Sequence, residues 1–226
     1  MRHGLPATPD NALRRACDDA VAFLQSRGVT FASGLADDEV EAVQGRFGFR
    51  FPPDLRAFLQ TALPIQISAR SGNDAFPNWR DESPARTRAR LHWPFEGIAF
   101  DIEQNAFWWK EWGPRPARLE DALAVARRHV NEAPMLIPVC SHRYVAADPP
   151  SAGNPVMSVY QTDIIFYGTD LWDYFRNEFN PQAEQWQHCR GMSEADYWAA
   201  HRRVRFWTDL VRVNSGLEPE DATDRP

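Results

Sequence analysis

Apolar residues recur every three or four positions at the start of the chain. Leu13, Ala16, Cys17, Ala20, Phe23 and Leu24 fall on one helical stripe. Asp10 or Asn11 can cap this helix, and Gly28 can end it in a left-handed conformation. Val29-Thr30-Phe31 then reads as a short extended piece. Asp37 or Asp38 is expected to cap a second helix that buries Val40, Val43 and Phe47 and stops at Gly48. Pro52-Pro53 cannot continue a helix but suits the first turn of a third, which turns Leu55, Phe58, Leu59 and Leu63 to the core. Two short helices with narrow apolar stripes need a surface to cover, and a sheet is the obvious one.

The pattern changes over about 64–118. Trp79, Trp93, Trp108, Trp109 and Trp112 stand among many Pro and Gly, which predicts irregular structure without long helices. Residues 97–102 alternate like a strand, with 106–109 as a hairpin partner across 103–105. From Leu119 to Glu132 the helical period returns, with Leu119, Ala122, Leu123, Ala126 and Val130 on one face and Pro134 beyond the end. Four short apolar runs follow, at 136–139, 143–145, 156–160 and 164–167, joined by brief turns, as in an antiparallel meander. Asp170 can cap a helix carrying Leu171, Tyr174, Phe175 and Phe179. Ser193, with Asp196 three residues on, opens a last helix in which Tyr197, His201, Val204, Trp207, Leu210 and Val211 line up. The pattern predicts a flexible leader at 1–10, one α+β domain at 11–213 and a disordered acidic tail at 214–226.

Composition narrows the function classes. With 43% apolar residues in 226, a sizeable core is expected. No run long enough to span a membrane and no secretory h-region is present, so a cytoplasmic protein is expected. Cys17, Cys140 and Cys189 form no Cys-x-x-Cys pair and are read as free thiols in a reducing compartment. The net charge of -6 argues against nucleic-acid binding. The Arg86, Arg88 and Arg90 cluster and the Arg202, Arg203 and Arg205 cluster each read as a solvated helix face.

Candidate chemistry is sparse. Cys140 and His142 are two residues apart and would share a strand face, the arrangement a thiol nucleophile and its base require. Cys140 also ends an apolar strand, where a small buried residue is the ordinary role. His188-Cys189 is an isolated pair, and no metal or cofactor site is expected. Asp101 with Glu103, or Asp170 with Asp173, are the carboxylate pairs that share a face, and Asp170 reads better as a cap. The aromatic middle is the stronger signal, because Trp and Arg dominate interface hot spots. The expected partner-binding residues are Trp79, Arg80, Trp93, Trp108, Trp109, Trp112, Tyr160 and Asp163. The Trp residues serve equally well as core over a sheet, and Gln161 and Asp163 as ties for their own turn.

Gly34, Leu35, Glu39, Phe47, Gly48, Pro52, Pro53, Asp54, Leu55, Phe58 and Leu59, together with the run Ile164-Ile165-Phe166-Tyr167-Gly168-Thr169-Asp170-Leu171 and Tyr174-Phe175, carry a resemblance. Over roughly 35–63 and 136–179 the chain resembles the SUKH superfamily, the Smi/Knr cell-wall regulators of fungi and their bacterial relatives. The resemblance implies a single α+β domain with a central, mostly antiparallel sheet flanked by helices, here with a Trp-rich insertion and an extra C-terminal helix. It implies a non-catalytic protein-binding module, an immunity protein against a toxin or a regulatory interaction protein. The acidic balance would suit a basic partner such as a nuclease toxin. The alternatives are a hydrolase working in an aromatic-lined cleft and a carbohydrate-binding module with exposed Trp platforms.

Overall fold

A computed structural model describes residues 11–68, 75–180 and 191–219. The chain runs α1 (Asn11–Ser26), β1 (Val29–Ser33), α2 (Asp37–Phe47), α3 (Pro53–Thr61) and β2 (Ala62–Ile67). It continues with α4 (Pro84–Gln104), a 3-10 turn (Lys110–Trp112), α5 (Leu119–Glu132) and the strands β3 (Leu136–Cys140), β4 (Arg143–Ala146), β5 (Val156–Tyr160) and β6 (Asp163–Gly168). α6 (Leu171–Phe179), α7 (Glu194–Ala200) and α8 (Trp207–Asn214) follow. β3 to β6 form an antiparallel meander in sequence order, as the turn pattern predicts, and β1 pairs with β2 in a separate antiparallel ribbon.

The meander is the middle layer of three. On one face Ile137, Val139, Cys140, Val145 and Val156 pack with α1, α3, α6 and the ribbon, around Phe58, Leu59, Tyr174 and Phe175. On the other, Tyr144, Met157, Val159, Ile164 and Phe166 pack under α4, α5 and α8. Helices on both faces leave every residue of β3 and β4 buried. Each large side chain sealed this way, such as Phe58 or Phe166, contributes roughly 2–3 kcal/mol.

The opening punctuation works as the sequence predicts, with two changes. Gly48 closes α2 in the left-handed conformation and Pro53 opens α3. Gly34 lies so close to the end of α3 that a Cβ would sit 1.9 Å from the Gln60 carbonyl oxygen, so only glycine fits there. The α2 cap differs from expectation. The N-cap is Ala36, and Asp37 and Asp38 lie inside the helix: the Glu39 carboxylate reaches back to the Ala36 N–H at 2.8 Å, Asp38 accepts the Glu39 N–H at 3.0 Å, and Asp37 accepts from Arg56 and Gln60 of α3. Leu63 is buried, but in β2 rather than in a helix.

The largest departure is α4. Residues 97–102 are not a strand and 106–109 not its partner; a 21-residue helix covers 84–104. Ile98, Phe100 and Ile102 alternate, but Ile98 and Ile102 are also four apart, so the pattern fits either period. The helix buries both and leaves Phe100 47% exposed. Extended over Thr87, Arg90, Pro94, Phe95, Ile98 and Asp101, the buried set is a helical stripe. Pro94 sits inside it and cannot donate to the Arg90 carbonyl one turn back. The Tyr144 hydroxyl from β4 donates to that carbonyl instead, at 2.9 Å. Gly97 meets the β5–β6 turn so closely that a Cβ would stand 2.7 Å from Gln161 Cα. One turn on, the buried Asp101 accepts from the Thr162 N–H and hydroxyl at 2.8 and 2.6 Å.

The last helix is also split. α7 ends at Ala200, and the chain turns through 201–206 before α8. The apolar spacing runs through the break, but Arg202 is drawn into the β4–β5 loop, donating to Ser151 Oγ, the Ala152 carbonyl and Asn154 Oδ1 at 2.8–2.9 Å. The expected leader and most of the expected tail fall on 1–10 and 220–226, outside the described residues.

The Pro94–Tyr144 arrangement makes a double-mutant prediction. Tyr144→Phe leaves the Arg90 carbonyl without its donor and should cost about 1–3 kcal/mol in urea unfolding. In a Pro94→Ala background the helix supplies its own N–H, and the same substitution should cost clearly less. Equal costs in both backgrounds would refute the compensation.

Candidate functional site

The Trp-rich middle does not gather into one surface. Trp79 is buried against Phe51 and Phe49, with ring centroids 5.0 and 5.8 Å apart. Arg80 beside it is a tie. Its guanidinium donates to both Glu39 oxygens, at 2.5 and 2.8 Å, and to the Gly34 and Ser33 carbonyls. Trp109 and Trp112 are buried on Phe206, each 5.9 Å away, and Trp112 also stacks on His129. Trp108 is half-buried, its indole N–H donating to the Gly113 carbonyl at 2.7 Å.

Trp93 and Tyr160 are brought together. They are 43% and 56% exposed and line a cleft of about 380 Å³ between α4 and the turns at one end of the meander. Trp93 is fixed by its indole N–H, 3.3 Å from the Val159 carbonyl. Asp163 is opposite Tyr160 in the β5–β6 ladder, exposed and outside the cleft.

The remaining lining comes from residues not expected as partner-binding. α4 supplies Arg86 and Arg90, which with Trp93 fall at i, i+4 and i+7 on one face. Both guanidiniums donate through Nε to Glu82 Oε1 at 3.1 Å, and the Thr87 hydroxyl donates to Oε2 at 3.3 Å. Arg90 is 6% exposed and its carboxylate partner 7%, whereas Arg86 reaches solvent. The sheet supplies Tyr144 and, on the β3–β4 turn, Ser141 and His142. The Ser141 hydroxyl lies 3.0 Å from His142 Nδ1, and the imidazole meets the Tyr160 ring edge-on at 6.4 Å. Arg86, Arg88 and Arg90 are therefore not one solvated face: Arg88 points to the opposite flank of α4. Their spacing carries this signal only once 84–104 is read as helix.

The enzyme-like constellations are not assembled. Cys140 is fully buried in the core on the α6 side, where burial and the thiol push the Tyr174 hydroxyl well above the usual phenol range, while His142 lines the cleft on the α4 side. Asp101 and Glu103 lie on a helix, with Asp101 tied to Thr162. Asp170 and Asp173 are used at the start of α6, accepting the Asp173 and Thr169 N–H groups. Among the described residues no three His, Cys, Asp or Glu side chains are grouped to hold a metal. His188 and Cys189 lie outside the described residues.

No family model, curated protein or solved structure matches the chain.

The Arg80 tie makes a pH prediction. The Arg80 guanidinium, helped by the Ala36 N–H, holds the Glu39 carboxyl at about 2. A depressed folded-state value stabilises above the unfolded-state pKa, near 4.3, and that stability is lost as pH falls toward 2. Asp54, raised by burial, acts in the opposite direction. Glu39→Gln should therefore lower the urea midpoint at pH 7 and flatten its decline between pH 5 and 2.5. A variant that parallels the wild type across that window would overturn the assignment.

Proposed function

We propose that the chain is a non-catalytic protein-binding module and that its partner-binding face is the Trp93–Tyr160 cleft. The observation that carries this reading is the pairing of two large, exposed aromatic side chains in one cleft beside the solvent-reaching Arg86. Aromatic rings and arginine, held by a rigid second layer, are the chemistry of interface hot spots. Here the second layer is Glu82, Tyr144 and the Val159 carbonyl. Because α4 is locked to the sheet, little ordering remains to oppose binding.

The resemblance to the SUKH superfamily supports an immunity-type or regulatory role. The net charge of -6 supports a basic partner such as a nuclease toxin, since complementary fields raise association rates. Carbohydrate binding on coplanar Trp platforms has less support: Trp79, Trp109 and Trp112 are buried. A hydrolase built on Cys140 is disfavoured by the burial of the thiol. No described helix is long and apolar enough to cross a membrane.

The test is co-expression with the product of a neighbouring toxin-like gene. A stable complex and rescue of growth are expected. Trp93→Ala and Tyr160→Ala should each weaken the complex by ~30-fold or more, as truncated hot-spot aromatics do, with far-UV circular dichroism unchanged. Wild-type affinity in both variants would move the interface elsewhere. No complex and no rescue would reject the immunity role, and soluble glycans binding at the cleft would favour the carbohydrate reading.

A further inference from the structure

The opposite flank of α4 carries a second groove of about 350 Å³, bounded by the end of α2, by α5 and by the start of β3. Its charged side chains are Arg46 from α2, Arg88 from α4 and Arg127 from α5, with His92 beside them. All three arginines are exposed. Among the described residues none of them forms an ion pair, and no lining residue is acidic. Glu132, between the lining residues Asn131 and Ala133, does not line the groove and is 3.7 Å from His129. Elsewhere Arg50, Arg56, Arg80, Arg86, Arg90, Arg118 and Arg143 each have a carboxylate.

Two of the guanidiniums are also held in place. Arg127 lies 4.0 Å from the Phe95 ring centroid and Arg88 lies 5.8 Å from that of Phe47. Stacking on a ring restrains the planar fork while its N–H donors stay directed outward. Between the cationic walls the surface is apolar, with Leu91 partly exposed and Met135 42% exposed.

We infer that this groove binds an acidic peptide segment of a protein partner, with carboxylates on Arg46, Arg88 and Arg127 and an apolar residue between them on Met135. Guanidinium forks match carboxylates in bidentate geometry. The groove is larger than one inorganic anion needs, and its cations sit on three separate elements. A single-stranded nucleic acid would need open ring faces for base stacking. The rings here are closed, Phe95 under Arg127 and Trp207 with 2% exposure. The inference rests on the reading of the chain as a protein-binding module but uses a different surface, so the two can fail separately.

The test is fluorescence anisotropy with the whole protein and a labelled octapeptide of six glutamates around a central Leu-Met pair. Saturable binding that weakens as salt rises is expected. Arg88→Glu and Arg127→Glu should each lower affinity at least tenfold with the thermal midpoint unchanged, and Arg88→Lys should retain most of it. Trp93→Ala should bind the peptide like the wild type, which separates this groove from the cleft. Equal binding of the glutamine counterpart, indifference to both charge reversals, or tighter binding of a labelled octathymidylate would each overturn the proposal. So would full displacement of the peptide by millimolar inorganic phosphate.

Discussion

Both candidate surfaces depend on how α4 is seated. A 21-residue helix containing Pro94 has one interior carbonyl, that of Arg90, which its own backbone cannot satisfy. Buried without a donor, that group would cost about 1–3 kcal/mol and invite a kink. The Tyr144 hydroxyl removes the cost, and in doing so ties the middle of α4 to the second strand of the meander. Burial raises the Tyr144 pKa, so the hydroxyl remains a donor throughout the physiological range. Gly97 against Gln161 and Asp101 on Thr162 then fix the next two turns against the β5–β6 connection. A helix pinned at successive turns cannot rotate, so the residues on its two flanks are set: Arg86 and Trp93 toward the cleft, Arg88 and His92 toward the groove.

The sheet makes this seating possible. An antiparallel meander commonly leaves one face to water. Here helices cover both, and the strands read as nearly continuous apolar runs. Several interior polar groups have local work. Ser158 meets Arg143, which pairs with Glu178 and lies 3.8 Å from the Tyr167 ring centroid, and Asn154 donates to the Ala146 and Pro149 carbonyls. Partnering of this kind offsets the cost of burying such groups.

The same physics separates what was legible in the sequence from what was not. α1, α3, α5, the meander and the Asp170 and Ser193 caps follow from period, punctuation and capping chemistry, which are local. α4 was illegible for a specific reason. Pro94 and Gly97 are helix-breaking signals, and both are answered by partners distant in sequence: Tyr144 fifty residues on and Gln161 sixty-four on. The break at 201–206 is the converse, a continuous helical pattern interrupted because Arg202 is claimed by the 151–154 loop. The candidate site suffers from the first effect. Trp93 and Tyr160 were recognisable by residue type, but Arg86, Arg90, His142 and the distinction between exposed and buried Trp required α4 to be in place.

In the proposed reading, charge decides which partners the two surfaces would accept. The chain is acidic overall, and its exposed carboxylates on α2, such as Asp37 and Asp38, contribute to a field that acts beyond contact distance. The groove is locally the reverse, with three arginines and no acid. At about 8 Å of screening in physiological salt, the long-range field governs encounter, while the groove is sensed only once the surfaces are nearly docked. A partner that is basic overall but carries one acidic segment would be attracted by the first and oriented by the second. A partner uniformly basic would be attracted and then repelled at the groove, and a uniformly acidic one would be turned away earlier. In the proposed reading, opposed global and local charge would act as a specificity device, because the cost of placing like charges together falls on wrong partners and wrong orientations. It requires the groove and the cleft to keep a fixed relation to each other, which the ties along α4 provide.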